Sequence, residues 1–291
     1  MAVSEPLTRI LLPLDVSPVS MPLAEVVGRI AHRYDSEVLL FHVIDELVIE
    51  HVAGGYDPAK LIKGMEENAL KLLRSVEKML REMNVRVRII ESMPVADPAS
   101  AIAHTAVEED VSEIVVSSKG WGIRRLIPIG STTHLLAKIT PRPLIRFKVY
   151  HEDSKVKIIA SDDPFKTIIV GVDEKVTNEM LDYLAELAKK AESRLIVIHV
   201  EEEERLGEKI LDKVVKYLDS RGIREVDSMI LTGRPARRLR EAAKQLDATA
   251  VFIGSVGRRT TLKEILLGST IGRLLHSLEE PLIIYPIGQV D

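Results

Sequence analysis

The chain contains no cysteine, which excludes a disulfide framework, a thiolate zinc site and a cysteine nucleophile. No apolar run approaches the roughly 18 residues that a membrane helix requires. Glu5, Arg9 and Asp15 interrupt the amino terminus where a signal peptide would need an apolar core. A cytoplasmic protein with no membrane partner is the expectation. Charge of one sign is also lacking: the formal net charge is −4 and the pI near 6.1, so nothing electrostatic calls for nucleic acid as a partner. Side-chain amides are confined to Asn68, Asn84, Asn178, Gln245 and Gln289, against many Glu, Lys and Arg, the bias of heat-adapted proteins. A thermophilic source follows as an expectation. The Gly-x4-Gly-Lys-(Ser/Thr), Gly-x-Ser-x-Gly and His-Glu-x2-His signatures are absent too. Without a positioned nucleophile, base or metal cage, no catalytic residue is assigned.

What is present is one pattern written twice. With 291 residues, 46% apolar and 29% charged, the chain can build one large or two medium domains. Residues 8–15 (TRILLPLD) read as a strand ending in Asp15, and Ser17-Pro18 as an N-cap with proline at the first helical position. Leu23, Val26, Val27, Ile30, Ala31 and Tyr34 then form one helical stripe. Residues 37–44 (EVLLFHVI) are a strand covered on both faces. Residues 45–58 are a loop with room for a short helix, and 59–83 a helix. Strands over 86–93 and 111–117 flank a helix over 98–107. A helix from Gly130 must end before Pro141, and 143–149 is a last strand. The charged stretch that follows reads as a linker, with a short strand allowed at 156–160. The order then restarts: strand 166–173 (KTIIVGVD), helix 177–191, strand 194–200 (RLIVIHV), helix 204–221, strand 226–231, helix 235–246, strand 250–255, a further helix and strand 281–287.

The positions prove the duplication. Asp15 and Asp173 are 158 residues apart, His42 and His199 157, Gly120 and Gly257 137, and Pro143 and Pro281 138. One length difference of about 20 residues, between Asp45 and Met83, reconciles the two registers. The expected division is a domain over 1–150, a linker over 151–165 and a domain over 166–291. Each domain is an α/β unit whose five-stranded parallel sheet is covered by helices, with right-handed crossovers. In such sheets ligands sit beyond the carboxyl ends of the strands.

Two stretches at those ends have the grammar of a phosphate site. Gly254-Ser255-Val256-Gly257 is followed by Gly268-Ser269-Thr270, and Ser117-Ser118-Lys119-Gly120 by Gly130-Ser131-Thr132. Glycine lets backbone approach a ligand, and the first N–H groups of a helix favour an anion. The ordinary reading is equally simple: glycines end strands, and Ser131, Thr132, Ser269 and Thr270 cap helices. Arg258, Arg259, Lys263, Lys119, Arg124 and Arg125 could neutralise phosphates or form a solvated loop. The cluster from Arg234 to Arg240 reads as an exposed helix face. His42 and His199 sit in apolar strands and read as packed core histidines rather than metal ligands.

These features together resemble the universal stress protein family in tandem two-domain form. The resemblance rests on Asp173, His199-Val200, Gly233-Arg234-Pro235, Gly254-x2-Gly257 and Gly268-Ser269 in the second half, and on Asp15, His42-Val43, Gly120 and Gly130-Ser131 in the first. It implies a Rossmann-like fold of the adenine nucleotide alpha hydrolase type. It also implies binding of ATP or AMP, with Mg²⁺ left open, in a signalling or stress-response module. The implied binding residues are Gly171, Asp173, Val200, Gly233, Ile253, Gly254, Ser255, Gly257, Gly268, Ser269 and Thr270, and in the first half Pro13, Asp15, Val43, Gly120, Gly130, Ser131 and Thr132. The aspartates would face ribose hydroxyls or a metal ion, and the valines adenine. Pairing of the last strands within the chain, as an intramolecular pseudo-dimer, is implied, with a homodimer left open.

Each half departs from the pattern in its own way. The first has Ser117 where the first glycine belongs and Ser92 where Gly-x-Pro would begin. The second has ten residues rather than nine between Gly257 and Gly268. An added loop residue costs little closure entropy, which ranks the second half above the first. A nucleotide-free interaction protein and a weak ATP hydrolase or phosphotransferase remain as alternatives. A response-regulator receiver is excluded, because neither third strand ends in the required aspartate. Trp121, the single tryptophan, lies in the first-half loop and reads as a plug of that site. Its fluorescence is therefore expected to stay unchanged on adding ATP; strong quenching would make it a stacking surface for a base instead.

Overall fold

A computed structural model of the protein describes residues 5–52, 57–118, 132–152, 155–158, 160–201, 207–256 and 269–288. Two compact units emerge, one of Leu7–Arg142 with Val149–Ile158, the other of Met1–Pro6, Pro143–Lys148 and Ile159–Asp291.

In the first unit β1 (Arg9–Pro13) pairs in parallel with both β2 (Glu37–Phe41) and β6 (Glu113–Ser117), and β2 pairs with β4 (Arg86–Ile89). Parallel neighbours need crossovers, supplied by α1 (Ser20–Tyr34), α3 (Pro58–Glu82) and α4 (Pro98–Glu108). Asp57 and Asp97 cap the last two, accepting from the Ala59 and Ser100 N–H groups. The expected Ser17 N-cap of α1 is not formed. The helix starts at Ser20 behind Val19, and the Ser17 hydroxyl instead donates to Asp15 Oδ1 at 2.5 Å. The Ser17 oxygen meanwhile accepts from Val19 N–H at 3.3 Å, so both of its bonds close the turn that precedes the helix rather than the helix's own first turn.

The strand expected over 37–44 is broken at His42 and Val43. Beyond the break β3 (Ile44–Asp45) pairs with β5 (Val95–Ala96), apart from the main sheet. β4 ends at Ile89, and Ile90 N–H donates to the Leu40 carbonyl; past the break Ile44 N–H donates to the Pro94 carbonyl at 3.0 Å, just ahead of β5. The loop expected over 45–58 begins with α2 (Glu46–Val52). After β6, α5 (Thr132–Ile139) is anchored by the Thr133 hydroxyl on the Ser117 carbonyl, 2.8 Å away. The stretch read as a linker begins as a hairpin of β8 (Val149–Glu152) and β9 (Lys155–Ile158).

The second unit repeats the plan without the break. Its parallel strands are β10 (Thr167–Val172), β11 (Arg194–Glu201), β12 (Val226–Thr232), β13 (Ala250–Val256) and β14 (Leu282–Ile287), in the spatial order β12-β11-β10-β13-β14. The intervening helices are α6 (Asn178–Ala191), α7 (Gly207–Ser220), α8 (Pro235–Gln245) and α9 (Ser269–Ser277). Thr177 caps α6, and Glu192 closes it in a left-handed conformation, as Asp35 closes α1. The core lies where Ile168, Ile169, Val170, Phe252 and Leu184 are fully buried, each such side chain stabilising by about 1.5–3 kcal/mol. The duplication extends to hydrogen bonds at the amino edge. Ser36 donates to the Leu7 carbonyl as Ser193 does to that of Phe165. Ser112 Oγ accepts from Arg9 N–H as Thr249 Oγ1 does from Thr167 N–H.

The last strand of the first half, β7 (Leu144–Phe147), belongs to this unit and runs antiparallel to β14, with Arg146 opposite Leu282. The last strands of the two repeats thus pair with each other, as the resemblance implied. Arg146 is fully buried. Its Nη1 and Nη2 donate to the carbonyls of Leu278 and Leu274 at 3.2 and 2.9 Å, and Lys148 Nζ donates to that of His276. The carboxyl end of α9 thereby receives cationic donors, which the helix dipole favours; the Leu274 carbonyl also accepts from Leu278 N–H at 3.0 Å. Arg146→Leu fills the site with an apolar side chain but removes both of the donors that Arg146 supplies. It is expected to lower stability by about 3 kcal/mol in chemical denaturation, with Lys148→Ala, at an exposed site, costing under about 1 kcal/mol.

Candidate ligand site at the carboxyl ends of the strands

In the second unit the chain leaves β10 toward β11 on one side, while β13 returns on the other. The carboxyl ends of β10 and β13 therefore flank the point where strand order reverses, the position at which open parallel sheets bind ligands. Asp173 follows β10 directly, and Gly254, Ser255 and Val256 end β13. Val200 and Gly233 lie at the ends of β11 and β12. Ser269 and Thr270 open α9. The structure thus gathers Gly171, Asp173, Val200, Gly233, Ile253, Gly254, Ser255 and Thr270 along one edge of the sheet. In the first unit the same edge carries Pro13, Asp15 and Val43, with Thr132 opening α5. Gly120, Gly130, Ser131, Gly257 and Gly268 lie outside the described residues, as do Lys119, Trp121, Arg124, Arg125, Arg258, Arg259 and Lys263.

The two aspartates are held differently. Asp15 Oδ1 accepts from the Ser17 hydroxyl at 2.5 Å and the Ser20 hydroxyl at 3.2 Å, and Ser20 also bonds the Asp15 carbonyl. Asp173 is exposed. Its Oδ1 accepts from Lys175 N–H at 2.8 Å, and its carbonyl accepts from Val176 N–H. Val176 stands where Pro18 would fall in the first repeat, and Glu174 and Lys175 replace Val16 and Ser17. One carboxylate is thus tied up by hydroxyls of its own turn, whereas the other is exposed and, among the described residues, accepts a single backbone bond.

The glycines have structural work that the sequence did not disclose. A β-carbon on Gly171 would lie 3.0 Å from both Ile253 Cγ2 and Leu239 Cδ1, so α8 packs directly on the bare backbone of β10. One on Gly254 would lie 2.4 Å from Ile287 Cδ1 and 3.0 Å from Met180 Sδ. The space at both positions is taken by protein side chains. Gly233 differs: its φ of +128° is one that side-chain-bearing residues rarely adopt. It lets the chain turn from β12 into α8, where Pro235 occupies the first helical position.

His199 and His42 are buried, as expected for core histidines, but each ring is hydrogen bonded. His199 Nδ1 lies 2.9 Å from the Val172 carbonyl and His42 Nδ1 2.7 Å from that of Leu14. Glu201 escaped the reading of the sequence altogether. Its Oε2 accepts from Gly207 N–H at 3.1 Å and lies 3.6 Å from His199 Nε2, while Oε1 is buried without a partner among the described residues. Its place in the repeat is held by Ile44, and that apolar-to-acidic difference was the available signal. Under the β13 end, Tyr183, Phe252 and Tyr285 form an aromatic cluster. Burial, then Glu179 and Asp182, push the Tyr285 hydroxyl up to about 12. Arg237 and Arg238 both pair with Glu241 on α8, in keeping with an exposed helix face. A cavity of about 530 Å³ lined by Glu37, Arg81, Asn84 and Arg86 lies at the amino end of β2 and β4. Its charges are already paired with Arg9, Glu77 and Asp35. Among the described residues no cluster of potential metal ligands occurs, and no helix is long and apolar enough to cross a membrane.

Comparison with known proteins settles the family. The model of the universal stress protein family matches residues 6–148 and again 164–286. The chain belongs to the universal stress protein family. A universal stress protein from Archaeoglobus fulgidus DSM 4304 superposes with a TM-score of 0.78 at 24% identity, over 97% of each chain. A putative universal stress protein from Pseudomonas aeruginosa UCBPP-PA14 gives a TM-score of 0.57 at 17% identity, over 96% of this chain and 93% of that one. The cytoplasmic domain of a prokaryotic cation chloride cotransporter gives 0.55 at 12% identity, over 97% of each. These likenesses concern the fold. No curated protein matches.

In this universal stress protein Gly171→Ala is expected to destabilise the fold by about 1–3 kcal/mol, measured by denaturation without nucleotide. Unchanged stability would show that the glycine is kept for something other than Leu239.

Proposed function

We propose that the second half of this universal stress protein binds an adenine nucleotide, ATP or AMP, at the carboxyl ends of β10 and β13, as a signalling or stress-response module. The observation that carries the reading is the contrast between Asp173, exposed and bound by one backbone N–H, and Asp15, engaged by Ser17 and Ser20. A carboxylate at the point where strand order reverses can accept ribose hydroxyls or share a Mg²⁺ ion with phosphates. Val200, Gly233, Ile253, Gly254 and Ser255 would line the nucleotide, and Gly257, Gly268, Ser269 and Thr270 would surround its phosphates at the start of α9. The nucleotide would supply the signal through its bound state, and the assignment includes no catalytic residue.

A second reading has an observation of its own. The space beside Gly254 is already filled by Ile287 and Met180, which suits an interaction module that works without nucleotide. Fold alone does not choose between the readings. Calorimetric titration of the full chain with ATP and AMP does. One site per chain is expected, weakened at least tenfold by Asp173→Ala, the scale of one lost charged hydrogen bond, and little changed by Asp15→Ala. No heat of binding, with no nucleotide released on denaturation, favours the second reading. Equal effects of the two substitutions would overturn the ranking of the halves.

A further inference from the structure

We propose that His199 is a positioning residue for Asp173, fixing the peptide from which the aspartate springs; its consequence for ligand affinity rests on the nucleotide reading above. A carbonyl oxygen has no proton to give, so the 2.9 Å contact to Val172 requires His199 to donate from Nδ1. The Val172 carbonyl belongs to the planar unit that links Val172 to Asp173. Holding that oxygen fixes the plane in which Asp173 N–H lies and the direction in which the chain leaves β10.

The bond falls where the strand stops. β10 ends at Val172, whose register partner in the ladder is His199 itself, so the bond acts on the last peptide that the sheet touches. The next bonds belong to a turn built on Asp173 itself, with Lys175 N–H on its carboxylate and Val176 N–H on its carbonyl. An imidazole from the adjacent strand thus bridges the sheet and the turn. From its other side the ring is faced by Glu201, whose Oε2 is 3.6 Å from Nε2 and is itself fixed by Gly207 N–H.

A packing role alone would be met by any of the Ile, Leu or Val residues that fill the rest of β11. The internal repeat argues against it. His42 makes the same contact, Nδ1 to the Leu14 carbonyl at 2.7 Å, immediately before Asp15. Positions two residues away have meanwhile changed, from Pro13 to Gly171 and from Ile44 to Glu201, although the valine after each histidine is kept. The two halves share the histidine, the carbonyl it holds and the aspartate after it.

The test uses the full chain and His199→Phe, which keeps a ring but removes the donor, beside His199→Asn, whose side-chain N–H can replace Nδ1–H. Hydrogen exchange at the Lys175 and Val176 amides is expected to accelerate roughly tenfold in His199→Phe, as for loss of one hydrogen bond, while the middle of β10 stays protected. The Asn variant restores protection. ATP affinity should fall roughly tenfold in His199→Phe, with affinity for 2′,3′-dideoxy-ATP unchanged, because only ribose hydroxyls depend on the aspartate. Unchanged exchange at Lys175 and Val176, or equal losses for both nucleotides, overturns the proposal. Should His199→Phe fail to fold, ¹⁵N NMR of the unsubstituted protein decides, since a His199 ring without a proton on Nδ1 contradicts it. If the unsubstituted protein binds no ATP but exchange responds as stated, the nucleotide reading fails and the positioning role stands.

Discussion

The pairing of β10 with β11 on one side and β13 on the other is the constraint on which the second unit depends. Parallel neighbours cannot be joined by tight turns, so every connection must travel back along the sheet as a helix. All strands therefore end at the same edge, and the chain must reverse its order beside β10. Asp173, Val200, Gly233 and Gly254 come together there although 81 residues separate the first from the last. The same constraint makes Gly171 necessary, because α8 must cross close over β10 and Leu239 occupies the place of a side chain.

Much of this could be read from the sequence. Apolar runs such as RLIVIHV, and the offsets between Asp15 and Asp173 or His42 and His199, require two α/β units with their motifs at one edge. Features that depend on a partner distant in sequence could not be read. Nothing near Gly254 announces Met180 or Ile287, and nothing near Gly171 announces Leu239. Ser17-Pro18 has the form of an N-cap, yet Asp15 lies close enough to take the hydroxyl. Beyond the break after Phe41, Ile44 N–H bonds the carbonyl of Pro94, 50 residues away in the chain. The same holds for Arg146 on β7. Its partners, the carbonyls of Leu274 and Leu278, lie 128 and 132 residues away.

The two halves have diverged around a shared frame. Both keep a buried histidine on the carbonyl before an aspartate, and both close their first helix with an acidic residue in a left-handed conformation. They differ in what surrounds the aspartate. Hydroxyls of Ser17 and Ser20 occupy the first, and water reaches the second. A group already bonded within its own turn must give up those bonds to take a ligand, so the cost of recruitment falls on the first half. Glu201 adds to the difference by placing an acidic side chain 3.6 Å from His199, at the repeat position that Ile44 holds in the first half.

The central claim is that the carboxyl edge beside Asp173, and not the one beside Asp15, receives an adenine nucleotide. Backbone amide NMR of the full chain, titrated with ATP, tests it most directly. The account predicts that the resonances of Gly171, Asp173, Lys175, Val200 and Gly254 shift together and saturate, while those of Asp15, Ser17 and Val43 stay in place. Shifts confined to Asp15, Ser17 and Val43, or none at saturating ATP, would contradict it.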